Sequence, residues 1–202
     1  MKHFSLPKYG GLIEENLPKS ILHSYEKITT EISDDANIGS DKVADIIVKA
    51  IKDHERAALP RPFKLGLTTG TTPVSLYSNL TEQFKEGKVS FANVEVFSID
   101  EYYPYGSDSV QSRNHRLHAE FLDNVDVKKE NVHIPDGTVS KEEVSDYCAE
   151  FDKIARGLDL LVIGVGEGGQ IGFNEAGSHR SALIPVQKET GPQFQRRHFR
   201  HP

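Results

Sequence analysis

The chain has 202 residues, 37% of them hydrophobic, and a formal net charge of −6 at pH 7. This length fits one domain with a substantial core, while the acidic balance disfavours a nucleic-acid or membrane surface as the partner. Cys148 is the single cysteine, so the sequence excludes an intramolecular disulfide. No apolar run is long enough to span a bilayer, so the sequence predicts neither a signal peptide nor a membrane helix. We expect a cytoplasmic protein.

The first part of the chain predicts an extension followed by a strand and a helix. Residues 1–25 mix proline, glycine and polar side chains without the periodicity of a core element. We predict a short strand over 27–32, a turn over 34–39, and a helix that Ser40 caps and that continues to Ile51.

A threonine-rich turn follows the next predicted strand, 63–67. It reads Thr68-Thr69-Gly70-Thr71-Thr72, and Pro73 then opens a helical pattern with Thr72 as its N-cap. Free backbone N–H groups at a helix start, several hydroxyls and a glycine that admits a close ligand suit an anion such as a phosphate. The alternative is an ordinary capped turn between a strand and a helix.

Two adjacent acids, Asp100 and Glu101, follow the predicted strand 94–99, and Tyr102 and Tyr103 come directly after them. A carboxylate at a strand end, beside a low-dielectric wall, has its proton affinity raised toward that of a general base. In the alternative, one carboxylate caps the next turn and the other is solvated. The two tyrosines either line a ligand pocket or pack at the strand end.

A glycine-rich segment follows the last predicted strand, 158–163, which is apolar enough to be buried on both faces. A helix from a capping box at Ser140 and Glu143 to about residue 155 precedes that strand. The pattern Gly164-x-Gly166-x-x-Gly169 matches a dinucleotide-binding motif, but glycines interrupt the helix that should follow, which disfavours a nicotinamide enzyme. The glycines instead allow the backbone to approach a small ligand.

Strands that alternate with helices, including a helix predicted over 113–122, indicate an α/β fold with a doubly wound, mainly parallel sheet flanked by helices. In such sheets ligands bind beyond the carboxyl ends of the strands. The clusters at 69–72, 100–103 and 164–175 all follow predicted strands. We therefore expect them to converge at one edge of the sheet, which we call the carboxyl edge, and to form a site for a small molecule.

Three motifs, in this order and spacing, resemble the glucosamine-6-phosphate deaminase (isomerase) family, which is related to the 6-phosphogluconolactonases. They read Thr69-Gly70-Thr71-Thr72-Pro73, Phe97-Ser98-Ile99-Asp100-Glu101-Tyr102, and Gly164-Val165-Gly166 with Ile171-Gly172-Phe173-Asn174-Glu175. The resemblance extends over about 27–178. It implies a Rossmann-like domain of the sugar-phosphate isomerase type over 26–178, between an N-terminal extension (1–25) and a divergent basic tail (179–202).

The resemblance also implies a substrate and a role for individual residues. Members of the family open the ring of glucosamine 6-phosphate, isomerise aldose to ketose through an enolamine, and release ammonia. By resemblance, Asp100 moves a proton between C2 and C1, and Glu175 is the acidic member of the ring-opening group. The implied substrate contacts, with the phosphate held by the turn 69–72, are Thr69, Gly70, Thr71, Thr72, Glu101, Tyr102 and Gly166. No metal and no organic cofactor is implied, and oligomers are common in the family.

The chain departs from the family at the third motif. Where the deaminases carry Asp-Gly-His, with the histidine as ring-opening acid and base, this chain reads Gly168-Gly169-Gln170. Glutamine cannot exchange a proton near neutral pH, so we predict that Gln170 orients the sugar through hydrogen bonds. Three functions stay open: a deaminase/isomerase with weakened catalysis, a sugar-phosphate-binding protein without turnover or a truncated copy, and a 6-phosphogluconolactonase. The family's later strand–helix units have no counterpart in the tail, which predicts an uncovered sheet edge.

Overall fold

The computed structural model describes residues 30–174. The chain divides into two units, Met1–Asp35 and Ala36–Pro202. In the first unit, residues 30–35 are described and contain no helix or strand, so the predicted strand 27–32 is wrong for 30–32. Ile32 is 90% exposed there and contributes nothing to a core. Residues 27–29, the predicted extension (1–25) and the predicted basic tail (179–202) lie outside the described residues.

The described part of the second unit contains four α-helices. They are α1 (Ala36–Arg56), α2 (Val74–Lys85), α3 (Arg113–Glu120) and α4 (Val144–Ile154). Two single turns of 3-10 helix, Leu122–Asn124 and Lys129–Asn131, follow α3. Within 30–174, no helix combines the length and the apolar character needed to cross a membrane.

The first helix begins earlier than the sequence predicts. Ser40 lies inside α1 and does not cap it, and residues 36–39 are helical where a turn was expected. Side chains of α2 contact α1 just after this extra turn, since Asn79 donates a hydrogen bond to Asp41 and Gln83 donates one to Asp45 at 3.0 Å. These two contacts join the N-terminal half of α1 to α2.

Within the described residues, four parallel strands form the sheet, in the order β3-β2-β1-β4. They are β1 (Phe63–Leu67), β2 (Val94–Ser98), β3 (Val132–His133) and β4 (Leu160–Leu161). The chain adds β2 and β3 on one side of β1 and then crosses to place β4 on the other side. This order confirms the predicted doubly wound, parallel α/β sheet flanked by helices.

The two faces of the sheet are covered unequally. Alternate strand residues point to one face and join α1, α2 and α3 in the main core, namely Phe63, Leu65, Leu67, Val94 and Val96. Phe97 lies in a second, smaller cluster with Phe151 and Ala155 at the end of α4. The main core therefore fixes the directions of β1 and β2, whose carboxyl ends deliver two of the three predicted clusters.

The last strand is shorter and more exposed than its sequence predicts. A strand over 158–163 was expected to be buried on both faces, but β4 pairs with β1 through Leu65–Leu160 and Gly66–Leu161 alone. Leu161 and Ile163 are 39% and 42% exposed. The prediction of two-sided burial is therefore wrong: β4 is the last strand of the described sheet, and its side chains stay partly exposed.

Candidate functional site

The threonine-rich turn connects β1 to α2. Pro73 occupies the N-cap position with φ −82° and ψ 2°, and no cap side chain makes a hydrogen bond. The carbonyl of Pro73 accepts the first helical hydrogen bond, from the N–H of Tyr77 at 3.0 Å. The prediction that Thr72 caps the helix and that Pro73 is its first residue is therefore wrong by one position.

The side chains of the turn differ in burial. Thr69 is buried and its Oγ1 has no hydrogen-bond partner among the described residues, whereas Thr71 and Thr72 are exposed. Gly70 has φ 138°, a conformation that other residues rarely adopt. The turn thus presents a buried hydroxyl and two exposed hydroxyls near the N-terminal N–H groups of α2, an arrangement that can bind an anion.

Asp100 lies two residues after β2 and is 2% exposed. Its Oδ1 lies 3.8 Å from the Nε of Arg113, and neither atom has a hydrogen-bond partner in the described part of the chain. Burial raises the pKa of Asp100 above its usual range, while the charge of Arg113 lowers it and that of Glu101 raises it. The expected rise in proton affinity is confirmed, and the group combines low exposure with an oxygen that accepts no hydrogen bond.

Glu101, the next residue, has a different environment. Its Oε1 accepts hydrogen bonds from the N–H groups of Tyr102 and Arg113, both at 2.7 Å. Its Oε2 accepts from the hydroxyl of Ser112 at 3.0 Å and from the N–H of Asn114 at 2.9 Å. Four donors of the chain therefore surround this carboxylate, which binds the free N–H groups at the start of α3. Of the two acids, Asp100 is the one with an oxygen left open.

Arg113 lies between the second and third clusters. Its guanidinium carbon is 4.6 Å from the centre of the Tyr102 ring and 5.3 Å from that of Phe173, and its Nη2 donates to the Tyr102 hydroxyl at 3.0 Å. The rings of Tyr102 and Phe173 are themselves 4.8 Å apart. Cation–π and aromatic contacts therefore join the segment after β2 to the segment after β4.

The glycine-rich segment folds back on itself after β4. The N–H of Gly166 donates to the carbonyl of Gln170 at 2.8 Å, and Val165 forms an antiparallel bridge with Ile171. The Oε1 of Gln170 accepts a hydrogen bond from the N–H of Gly168 at 2.9 Å. A side chain at Gly166 would overlap the Gln170 amide, so that glycine leaves room for the amide inside the turn.

The glycine-rich segment contacts Asp100 through Gly172. This residue has φ 57°, and a Cβ placed on it would lie 3.3 Å from Oδ2 of Asp100 and from Cδ1 of Ile99. The backbone of the third cluster therefore packs directly against the carboxylate of the second. Glu175, the predicted acidic partner in ring opening, lies outside the described residues.

The first two clusters meet because of strand register. β1 and β2 pair with Leu67 opposite Ser98, so Thr69 and Asp100 leave the sheet at the same level. Tyr77 of α2 holds the start of the first cluster, because its hydroxyl donates to the carbonyl of Thr68. Burial, then the charges of Glu120 and Asp100, raise the pKa of Tyr77. All three clusters therefore lie at the carboxyl edge.

Arg113, Phe173 and Tyr77 were not predicted as site residues. One signal for Arg113 was available, since a cation in the first turn of a helix opposes the helix dipole and requires a compensating partner. The partners, Asp100 and Tyr102, lie 11 to 13 residues earlier in the chain. Among residues 30–174, no group of three or more His, Cys, Asp or Glu side chains is arranged to hold a metal ion.

Comparison with known proteins identifies relatives for most of the chain. The model of the family "Glucosamine-6-phosphate isomerases/6-phosphogluconolactonase" matches residues 34–173. A glucosamine-6-phosphate deaminase of Thermoanaerobacter sp. (strain X514) is 41% identical over 138 residues, which are 67% of this chain and 52% of that protein. A glucosamine-6-phosphate isomerase of Candida albicans is 34% identical over 149 residues, which are 72% of this chain and 57% of that protein.

A solved structure of a monomeric glucosamine-6-phosphate deaminase superposes on the chain with a TM-score of 0.68 and 26% identity. The match covers 75% of this chain and 61% of that one. The chain spans about half the length of the curated relatives described above.

Proposed function

The chain belongs to the glucosamine-6-phosphate isomerase/6-phosphogluconolactonase family. On this premise we propose that it acts on a phosphorylated amino sugar, isomerising it and consuming one water molecule to release ammonia and leave a ketose phosphate. The names of its relatives, deaminase and isomerase of glucosamine 6-phosphate, support this choice of substrate and reaction. The reaction uses the carboxyl edge, where the three sequence motifs meet.

Asp100 is the proton-transfer group in this proposal. Moving a proton between two sugar carbons requires a base with an open lone pair and little competing water. The observation that carries the proposal is that Asp100 is 2% exposed and keeps Oδ1 without a hydrogen-bond partner among the described residues. Its raised pKa, caused first by burial, brings its proton affinity closer to that of the carbon acid it serves.

The substrate phosphate binds at the turn 69–72 and the N terminus of α2. Thr69 supplies a buried hydroxyl and Thr71 and Thr72 supply exposed ones, while Gly70 lets the backbone approach the phosphate oxygens. No acidic side chain lies in the first turn of α2, so the partial positive charge of this helix end is not neutralised locally. These features favour an anion over a neutral group at this end of the sugar.

Other residues complete the proposal. Gln170 orients the sugar, and Tyr102 and Gly166 contact it from the second and third clusters. Glu101 acts on the substrate indirectly, because its carboxylate is occupied in holding the start of α3. Glu175 remains the predicted supporting carboxylate. A phosphorylated sugar carries a charge that does not cross a bilayer unaided, so we place the reaction in the cytoplasm.

A second candidate function is sugar-phosphate binding without turnover. The observation that favours it is the environment of Gln170. Its Oε1 accepts a hydrogen bond from Gly168 inside the turn, and its amide acts as neither an acid nor a base near neutral pH. The loss of general acid–base assistance typically costs about 10²–10⁴-fold in rate. A protein of this kind would bind the ligand and release product slowly or not at all.

Ammonia release from glucosamine 6-phosphate by the purified chain separates the two candidates. We expect release above that of Asp100→Asn, which keeps the shape of the side chain and removes its basicity. A rate equal to that of Asp100→Asn, with fructose 6-phosphate still binding by calorimetry, establishes the binding function and rejects the enzyme. Hydrolysis of 6-phosphogluconolactone, assayed on the same samples, tests the remaining branch of the family.

A further inference from the structure

A largely buried cation lies next to the Asp100 carboxylate, and the proposed reaction does not use it. Arg113 begins α3, its side chain is 14% exposed, and its Nε lies 3.8 Å from Oδ1 of Asp100. That distance permits strong Coulomb attraction but exceeds the length of a hydrogen bond. Both atoms are buried without hydrogen-bond partners in the described part of the chain.

Other contacts hold Arg113 at this distance. The N–H of Arg113 donates to Glu101, which fixes its backbone next to Asp100 in space. Its guanidinium lies against the rings of Tyr102 and Phe173 and donates to the Tyr102 hydroxyl at 3.0 Å. Three anchors outside the carboxylate therefore determine where the cation lies, so it stays close to Asp100 without forming a two-pronged hydrogen-bonded pair with it.

We propose that Arg113 is a positioning residue for Asp100, which keeps the buried carboxylate charged through proximity alone and leaves its oxygen open to accept a proton. A hydrogen-bonded arginine would occupy the lone pairs that a base needs. A buried carboxylate without a nearby cation would become neutral and lose its basic function. Arg113 avoids both outcomes, because it places a positive charge next to Asp100 without forming a hydrogen bond with the carboxylate. The inference rests on the proposed role of Asp100 as the base.

The other groups around Asp100 do not replace this effect. Glu101 precedes α3 and its negative charge raises the pKa of Asp100, which opposes ionisation. Burial first, and the charge of Asp100 among other causes, raise the pKa values of Tyr77 from α2 and of Tyr102. Both tyrosines therefore stay neutral near pH 7. From the third cluster, the contact with the carboxylate is the backbone of Gly172. Within residues 30–174, Arg113 is therefore the cation that acts on Asp100.

Carboxyl titration by NMR tests the proposal independently of turnover. The full chain is labelled with ¹³C-aspartate, and the Asp100 signal is assigned by its loss in Asp100→Asn. We expect the pKa of Asp100 to be higher in Arg113→Gln than in the unchanged chain, and to return toward the unchanged chain's value in Arg113→Lys, which restores the charge. The matched control is Arg116→Gln, one turn further along α3, where Arg116 pairs with Glu120 at 2.6 Å. This control should leave the pKa of Asp100 in place.

If the pKa of Asp100 is unchanged in a folded Arg113→Gln chain, the proposal is overturned. Should that variant not fold, the unchanged chain still decides the question through the ¹⁵Nε signal of Arg113. The chemical shift of that signal should change with pH at the same titration midpoint as the Asp100 carboxyl, and should no longer change with pH in Asp100→Asn. An Nε chemical shift that stays constant through the Asp100 titration rejects the inference. If Asp100 depends on Arg113 but ammonia is not released, the positioning role stands and the proposed reaction fails.

Discussion

The hydroxyl of Tyr77 in α2 donates a hydrogen bond to the carbonyl of Thr68, the first residue after β1. Tyr77 is 1% exposed, and its ring stacks on Phe121 with ring centres 5.3 Å apart. A side chain anchored in the main core therefore holds the backbone from which the threonine-rich turn begins. The shape of the proposed phosphate site therefore depends on a residue that is buried in the main core.

Replacing Tyr77 with phenylalanine tests this dependence. Tyr77→Phe keeps the ring stack but leaves the Thr68 carbonyl without its donor, so we expect a loss of about 1 kcal/mol in the free energy of unfolding. Calorimetry should also show weaker binding of fructose 6-phosphate. The matched control is Tyr147→Phe, since the Tyr147 hydroxyl accepts a hydrogen bond from the N–H of Asp136 at 2.8 Å. Equal sugar-phosphate affinity in both variants contradicts the role of Tyr77 in the turn.

Replacing Gly172 with alanine tests the packing of the third cluster against Asp100. The added Cβ meets a φ of 57° and lies 3.3 Å from the Asp100 carboxylate, so urea unfolding should show a loss of about 1–2 kcal/mol. Gly157→Ala is the control, because Gly157 has φ 74° with open space around its Cβ position. Both substitutions introduce backbone strain, but Gly172→Ala should also weaken sugar-phosphate binding. Unchanged binding in Gly172→Ala would show that the segment does not border the site.

Replacing Glu101 with glutamine tests how the start of α3 is held. In Glu101→Gln an amide NH₂ faces backbone N–H donors, and charge-assisted hydrogen bonds are lost, so we expect a loss of about 1.5–3 kcal/mol in unfolding free energy. Glu143→Gln is the control, since Glu143 accepts one hydrogen bond from Ser140 at an exposed helix start. That change should cost less than about 1 kcal/mol. Similar losses in the two variants would contradict the structural role of Glu101.

The contacts of Asp159, which immediately precedes β4, with residues at the start of β1 predict that the stability of the fold depends on pH. Asp159 accepts two hydrogen bonds from Arg61, both at 2.6 Å, and one from the N–H of Lys64 at 2.8 Å. These contacts, the Arg61 hydrogen bond first, lower the pKa of Asp159 to about 2. Its usual pKa is about 3.9, so the ionised pair stabilises the fold above about pH 4 and this contribution is lost as the pH falls toward 2.

Asp159→Asn measures that contribution. In urea unfolding at pH 6 the variant should be less stable than the unchanged chain, and the difference should shrink steadily as the pH is lowered from about 5 toward 2. Asp126→Asn is a control that removes a carboxylate elsewhere, where Asp126 accepts hydrogen bonds from the Ser90 hydroxyl and the Phe91 N–H, both at 2.6 Å. A difference for Asp159→Asn that stays constant over this pH range would contradict the lowered pKa.

The strands that build the site could be predicted because their signal is local. β1 and β2 are five-residue runs whose alternate residues enter the main core, and each ends in a polar cluster that the sequence shows directly. β3 was missed because it has two residues, Val132 and His133, and is defined by pairing with β2 alone. A pattern of period two cannot be recognised in a segment of that length.

The contacts within the site were harder to predict, because they join residues far apart in the chain. Arg113 meets Phe173 only after β4 has crossed to the far side of β1. The distinction between Asp100 and Glu101 has the same origin. The two acids are adjacent, but α3 supplies hydrogen-bond donors to Glu101, whereas it supplies Asp100 with a cation that is not hydrogen-bonded to it. Composition and spacing identify the pair of acids, and only the packed helix shows which of them stays open.

The approach of Gly172 to Asp100 has a consequence for selectivity. On that side the carboxylate faces main chain, and a main-chain surface has no rotamers with which to adapt. On the other side it faces Arg113, a long side chain with several rotatable bonds. Substitution can therefore only enlarge the main-chain side, at Gly172, whereas the anchored side chain of Arg113 can be shortened. We therefore expect substitutions at Arg113 to broaden the range of accepted sugars, and substitutions at Gly172 to narrow it.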